Sequence, residues 1–174
     1  QSMVRLAMFD DAMEMLEKIP EQGRSVEALF AVGRVSMAQG DVEKAQKFME
    51  LAAAEKTHDP NILNSLVAIY ESQGELESGL NLLQEALEAN PDSADLWHVS
   101  GLSQIRQKNL QEAQSAFEKA IELDPGRVES YNQLARLYAS SGKLNRALEQ
   151  YRRASEQEPD NATIRHFLGV LYEM

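Results

Sequence analysis

The sequence predicts an all-α fold, an α-solenoid of antiparallel helix pairs, and three observations predict it. Landmark residues recur on a 34-residue grid: Gly40, Gly74 and Gly142; Ala52, Ala86, Ala120 and Ala154; Pro91, Pro125 and Pro159. A fixed period of this size marks a stack of supersecondary units, none of which buries its apolar face alone. Within a period the apolar residues recur at helical spacing in two separate runs. Turn and breaker residues punctuate the runs, because glycine and proline interrupt helices for opposite backbone reasons.

The units fall at 26–59, 60–93, 94–127 and 128–161, with partial units on either side. Residues 1–3, Gln1-Ser2-Met3, read as the remnant of a protease-cleavage tag and are set aside. Residues 4–25 carry Phe9, Ala12 and Leu16 and read as the second helix of a preceding unit, so the chain is expected to be a fragment. Unit 26–59 places Leu29, Val32 and Gly33 on its first helix, turns at Gly40, and places Ala45 and Ala52 on its second. It has Ser36 where Tyr70 and Tyr138 stand in other units, and Thr57 where later units have proline. Unit 60–93 runs through Leu63, Leu66, Tyr70, Gly74, Gly79, Leu83, Ala86 and Pro91.

Unit 94–127 shows the plan most clearly. Asp92 or Ser93 can cap a first helix bearing Leu96, Trp97, Gly101, Leu102 and Ile105. That helix gives out near Lys108-Asn109; Leu110, Ala113, Phe117, Ala120 and Ile121 then form the apolar stripe of a second helix ending at Asp124-Pro125. Unit 128–161 repeats it with Tyr131, Leu134, Ala135 and Tyr138, a turn at Gly142, then Leu144, Ala147, Tyr151 and Ala154, closed by Pro159. Residues 162–174 hold Ile164, Leu168, Gly169 and Tyr172 in the pattern of one more first helix. Small residues set the spacing: Gly101 is expected to face Ala113, and Ala135 to face Ala147, so that the paired axes approach to roughly 8–10 Å.

These residues resemble the tetratricopeptide repeat family. Its pattern of Trp, Leu-Gly and Tyr on one helix, then Ala, Phe, Ala and a closing Pro, is met by Trp97, Gly101, Ala113, Phe117, Ala120 and Pro125. It is met again by Tyr131, Leu134, Ala135, Tyr138, Ala147, Tyr151, Ala154 and Pro159. The resemblance covers nearly the whole chain. It implies a right-handed solenoid whose first helices line a concave groove where a peptide or partner helix lies.

Composition excludes several classes. No run of 18 apolar residues is present, which argues against membrane insertion, and no signal-peptide pattern opens the chain. The net charge of −11 argues against nucleic acid as the ligand, since phosphate backbones need clustered Lys and Arg. Zero cysteines exclude disulfides and zinc-thiolate sites and leave cytoplasm and bacterial periplasm both open. Seven of the nine glycines sit in repeat register, which leaves no glycine-rich loop for phosphate. His98 and His166 lie two units apart, roughly 20 Å by helix-packing distances and too far to share a metal. The expectation is therefore a protein that is not an enzyme and needs no cofactor.

The candidate binding residues come from the groove that the resemblance implies. The fifth residue of each unit reads Phe30, Asn64, His98, Asn132, His166, and four of the five can hydrogen-bond a peptide backbone whatever its sequence. Arg34, Leu102, Ile105 and Arg136 flank this row. Chaperone-binding members hold a peptide's terminal carboxylate with Lys, Asn and Arg from three units. The corresponding places here hold Phe30 and Arg34, then Ser65, then Asp95 and Val99, so that clamp is missing. The expected function is a scaffold binding a protein or peptide in the groove. The competing readings are end-to-end self-association through an apolar edge of Ile164, Leu168 and Tyr172, and the recognition segment of a larger enzyme or secretion complex.

Overall fold

A computed structural model of the chain describes residues 25–56 and 58–172. Residues 1–3, the helix expected within 4–25 and Thr57 lie outside the described residues. Nine α-helices and no strands are found among the described residues: α1 Val26–Gln39, α2 Val42–Glu55, α3 Pro60–Gln73, α4 Leu76–Ala89, α5 Ala94–Arg106, α6 Leu110–Leu123, α7 Val128–Ser140, α8 Leu144–Gln157 and α9 Ala162–Tyr172. Helices α1, α3, α5, α7 and α9 start 34 residues apart, and so do α2, α4, α6 and α8. The periodicity of the sequence is the periodicity of the backbone.

Local chemistry sets the helix ends. The Ser25 hydroxyl accepts from Ala28 N at 3.2 Å, Asp41 from Lys44 N at 3.0 Å, Asp59 from Asn61 N at 2.9 Å and Ser93 from Leu96 N at 3.3 Å, each satisfying a donor the helix cannot. Of the two caps expected before α5, Ser93 is the one used. The first helices of three pairs end on left-handed glycines, Gly40 at φ 81°, Gly74 at φ 82° and Gly142 at φ 71°. Lys108 occupies the same register and takes the same conformation at φ 64°, the one non-glycine residue at positive φ among those described. Trp97 anchors the turn before α5, its indole donating to the Pro91 carbonyl at 2.8 Å.

The chain divides into two compact units, Gln1–Ala86 and Leu87–Met174, with the boundary inside α4. In the first, α1 packs on α2 and α2 on α3. Their core joins Leu29, Val32, Phe48, Met49, Ile62, Leu66 and Ile69, with the alanines Ala45 and Ala52 fully buried at the crossings. In the second, α5 through α9 each pack on the next helix. Phe117, Tyr131, Leu134, Tyr138, Tyr151 and Ile164 form that core around the buried Ala113, Ala135, Ala147 and Ala154. Ala52, Ala86, Ala120 and Ala154 are all 0% exposed, in keeping with a register position that must admit a neighbouring helix.

Three expectations change. A Cβ built on Gly101 meets the Phe117 ring at 2.6–2.8 Å, so the glycine makes room for that ring and not for Ala113. Leu110 opens α6 at 46% exposure instead of joining its apolar stripe. Ile164 is 1% exposed within the second unit's core, so it is not part of an open edge; Val170 and Tyr172 are the exposed apolar side chains of α9. Ser36 is buried and its hydroxyl lacks a hydrogen-bond partner, the price of a polar residue where the other units place a larger one.

Candidate functional site

The residues picked out by the sequence fall on first helices in both units. In the first unit, Phe30 and Arg34 stand one turn apart on α1, with Phe30 half-buried and Arg34 exposed. The Arg34 guanidinium lies 5.8 Å from the Phe30 ring centre, a cation–π contact that steers the charge along the helix surface. Asn64 is half-buried on α3.

In the second unit the row behaves unevenly. His98 on α5 is only 8% exposed, which corrects the expectation of a groove-facing side chain. Its Nδ1 sits 2.8 Å from Ser130 Oγ on α7, and its ring packs 5.3 Å from Phe117. Burial, and after it the Arg127 guanidinium, lowers its pKa from 6.5 to about 4, while Glu129 and Asp95 pull weakly the other way. His98 thus joins α5 to α7 as a neutral imidazole. Arg127, which bonds to Asp95, straps the turn before α7 to the start of α5. Leu102 and Ile105 are half-buried and packed against the core, not free for a ligand along their whole length.

Asn132, Arg136 and His166 are the members that face outward. Asn132 is half-buried on α7, and its Oδ1 accepts from the Tyr151 hydroxyl at 3.1 Å, which pins the amide and leaves its NH2 group as donor. Arg136, one turn on, is exposed, and none of the ion pairs among the described residues uses it. His166 is exposed on α9, edge-on to Phe167 at 5.6 Å.

A cavity of about 300 Å³ lies between α7, α8 and α9, lined by Arg136, Ala139, Leu144, Tyr151, Phe167, Val170 and Leu171. Tyr151 and Phe167 form one wall as a stacked pair, 5.3 Å apart and 11° from parallel. Burial raises the Tyr151 hydroxyl pKa above 10, and Arg136 opposes that shift. The register of Tyr151 places it in the core, and Phe167 stands at none of the positions the repeat singles out. The available signal was that Phe167 precedes the apolar Leu168 and so widens the stripe of α9. A wider, more polar hollow of about 660 Å³ lies over α5 and α6, lined by Trp97, Gln104 and Lys119 among others. Among the described residues no three His, Asp or Glu side chains converge as a metal site would require, and no helix is long and apolar enough to cross a membrane.

Charge is divided along the chain as well. From Arg127 onward there are seven Lys and Arg against six carboxylates, whereas the preceding residues carry ten against twenty-two. The outward-facing row of the second unit therefore lies in a long stretch of an acidic protein that is not itself acidic.

The tetratricopeptide repeat model matches residues 36–101 and 104–172. The chain belongs to the tetratricopeptide repeat family. The crystal structure of TTC0263, a thermophilic tetratricopeptide repeat protein of Thermus thermophilus, matches with a TM-score of 0.75 at 26% identity over 99% of this chain and 95% of that one. That of YrrB, described as a tetratricopeptide repeat protein with an unusual peptide-binding site, matches with a TM-score of 0.58 at 23% identity over 92% of this chain and 80% of that one. Human protein O-mannosyl-transferase TMTC1 is 23% identical over 169 residues, which is 94% of this chain but 19% of the relative. The chain thus spans about a fifth of that relative's length. Members of this family commonly serve as scaffolds for protein interaction, and the all-α architecture of helix pairs is theirs.

Proposed function

We propose that this protein is a non-catalytic scaffold that holds a peptide or partner segment against the outward faces of its first helices. The observation that carries the reading is the row on α7 and α9. Asn132 is held in place by Tyr151 with its NH2 group left to donate, Arg136 stands exposed one turn on along α7, and His166 is exposed on α9. Buried or strapped residues such as His98 and Ser130 set the helix spacing behind that row without touching the ligand. The net charge of −11 favours a protein over a nucleic acid as partner. The peptide-binding site named for YrrB agrees with such a use of the fold, although at 23% identity the likeness extends to fold alone.

The test uses a displayed library of random twelve-residue peptides, with the selected peptide titrated calorimetrically. Replacing Asn132 by alanine should weaken binding by about 1 kcal/mol, the worth of one lost hydrogen bond, with helicity intact. A folded Asn132→Ala variant that binds as tightly as the parent would sink the reading. Self-association is a second reading, favoured by Tyr172 at 60% exposure and Val170 at 41% on α9. It predicts a dimer by light scattering that Tyr172→Glu dissociates; a monomer at all concentrations removes it.

A further inference from the structure

We infer that the cavity between α7, α8 and α9 is a docking site for an acidic–apolar peptide segment. An apolar side chain fills the cavity while the carboxylate of a neighbouring residue pairs with Arg136. The inference rests on the scaffold reading above and specifies what the scaffold selects.

Three features point to this chemistry. The walls are apolar: Ala139, Leu144, Phe167, Val170 and Leu171 contribute no polar side-chain atom, and the Tyr151 hydroxyl is engaged by Asn132. At about 300 Å³ the cavity suits one large side chain, which loses little freedom against the stacked Tyr151 and Phe167 rings. Arg136 is the single charged residue in the lining, and it lacks an acidic partner among the described residues. Other arginines of this region are engaged: Arg153 with Glu149, Arg165 with Asp160, and Arg152 with the Tyr172 hydroxyl. A planar guanidinium left unpaired beside an apolar cavity is matched by a carboxylate next to an apolar side chain. The locally non-acidic charge of residues 127 onward permits the approach of such a ligand, which the acidic remainder of the chain would repel.

A fluorescein-labelled peptide with blocked ends and the central sequence Glu-Phe-Glu is the probe, compared with a Gln-Phe-Gln twin by fluorescence anisotropy. The acidic probe should bind the intact protein roughly tenfold more tightly than its twin, with an advantage that shrinks as salt is added. Arg136→Gln should erase that difference. Val170→Glu, a change at an exposed position that supplies Arg136 with an internal carboxylate, should weaken the acidic probe by a similar factor. Arg153→Gln, which removes a cation paired elsewhere, should leave both peptides unchanged. Circular dichroism checks that each variant is folded. Equal binding of the two peptides, or an acidic preference that survives Arg136→Gln, overturns the inference. Decanoate binding with no binding of either peptide also overturns it, since the ligand is then a small amphiphile. The two readings fail separately. If library-selected peptides bind in an Asn132-dependent way but ignore Arg136, the cavity assignment falls and the scaffold reading stands; if no peptide binds at all, both fall.

Discussion

Gly33, Gly101 and Gly169 occupy one register position, 68 residues apart, yet adding the same methyl group to each should give three different results. In a helix interior, Gly→Ala stabilises by about 1 kcal/mol through backbone entropy alone. At Gly169 a new Cβ meets nothing within 4 Å, so Gly169→Ala should keep most of that gain and appear as greater helicity. At Gly33 it meets the flexible Met49 side chain at 2.9–3.1 Å, which can rotate away, and the two effects should nearly cancel. At Gly101 it meets Cε1, Cζ and Cδ1 of Phe117 at 2.6, 2.7 and 2.8 Å. Phe117 is 0% exposed and packed on His98, so the ring has nowhere to go. Overpacking there costs about 1–3 kcal/mol, for a net loss of about 1 and at most roughly 2 after the helix gain. That loss corresponds to a melting-point drop of about 2–8 °C for a chain of this size. Thermal melts followed by circular dichroism at matched concentration rank the three variants. The order Gly169→Ala, Gly33→Ala, Gly101→Ala from most to least stable is expected, and a Gly101→Ala protein that melts at or above the parent would refute the packing argument.

Two further outcomes follow from single residues. Lys108 holds a left-handed conformation that costs an L-residue roughly 1–2 kcal/mol, so Lys108→Gly should stabilise by about 0.5–1 kcal/mol after glycine's extra unfolded-state entropy; chemical denaturation showing a loss instead would mean that contacts of the lysine side chain offset its strain. His98 titrates near 4 when folded and near 6.5 when unfolded, so the unfolded chain binds the extra proton between those values and stability must fall as pH drops through that window. Between about pH 6.5 and 5 the loss should be about 1–2 kcal/mol, and His98→Gln should flatten it; parallel pH–stability curves for the two proteins would show that burial does not keep the imidazole neutral.

The fold was legible because the same residue types recur where the same physical demand recurs. Alanine returns at 52, 86, 120 and 154 because each position is fully buried, and glycine returns at 40, 74 and 142 because each closes a helix in left-handed geometry. Lys108 shows the limit of that inference: it breaks the residue pattern while the backbone keeps the geometry, since flanking helices pinned at both ends impose the turn on whichever residue stands there. The site was less legible, for a related reason. A row at one register position predicts which helix face a residue shares, but exposure depends on what the neighbouring helix sends across. Ser130 reaches back to His98 and converts a candidate ligand contact into an interhelical strap, whereas Asn132, in the equivalent place one unit later, is half-buried and bonded only through its Oδ1 to Tyr151 among the hydrogen bonds described. His98 and Asn132 look alike to periodicity and differ through contacts 32 and 19 residues away. Repetition therefore identifies the scaffold, and the departures from repetition decide which residues of the row stay exposed.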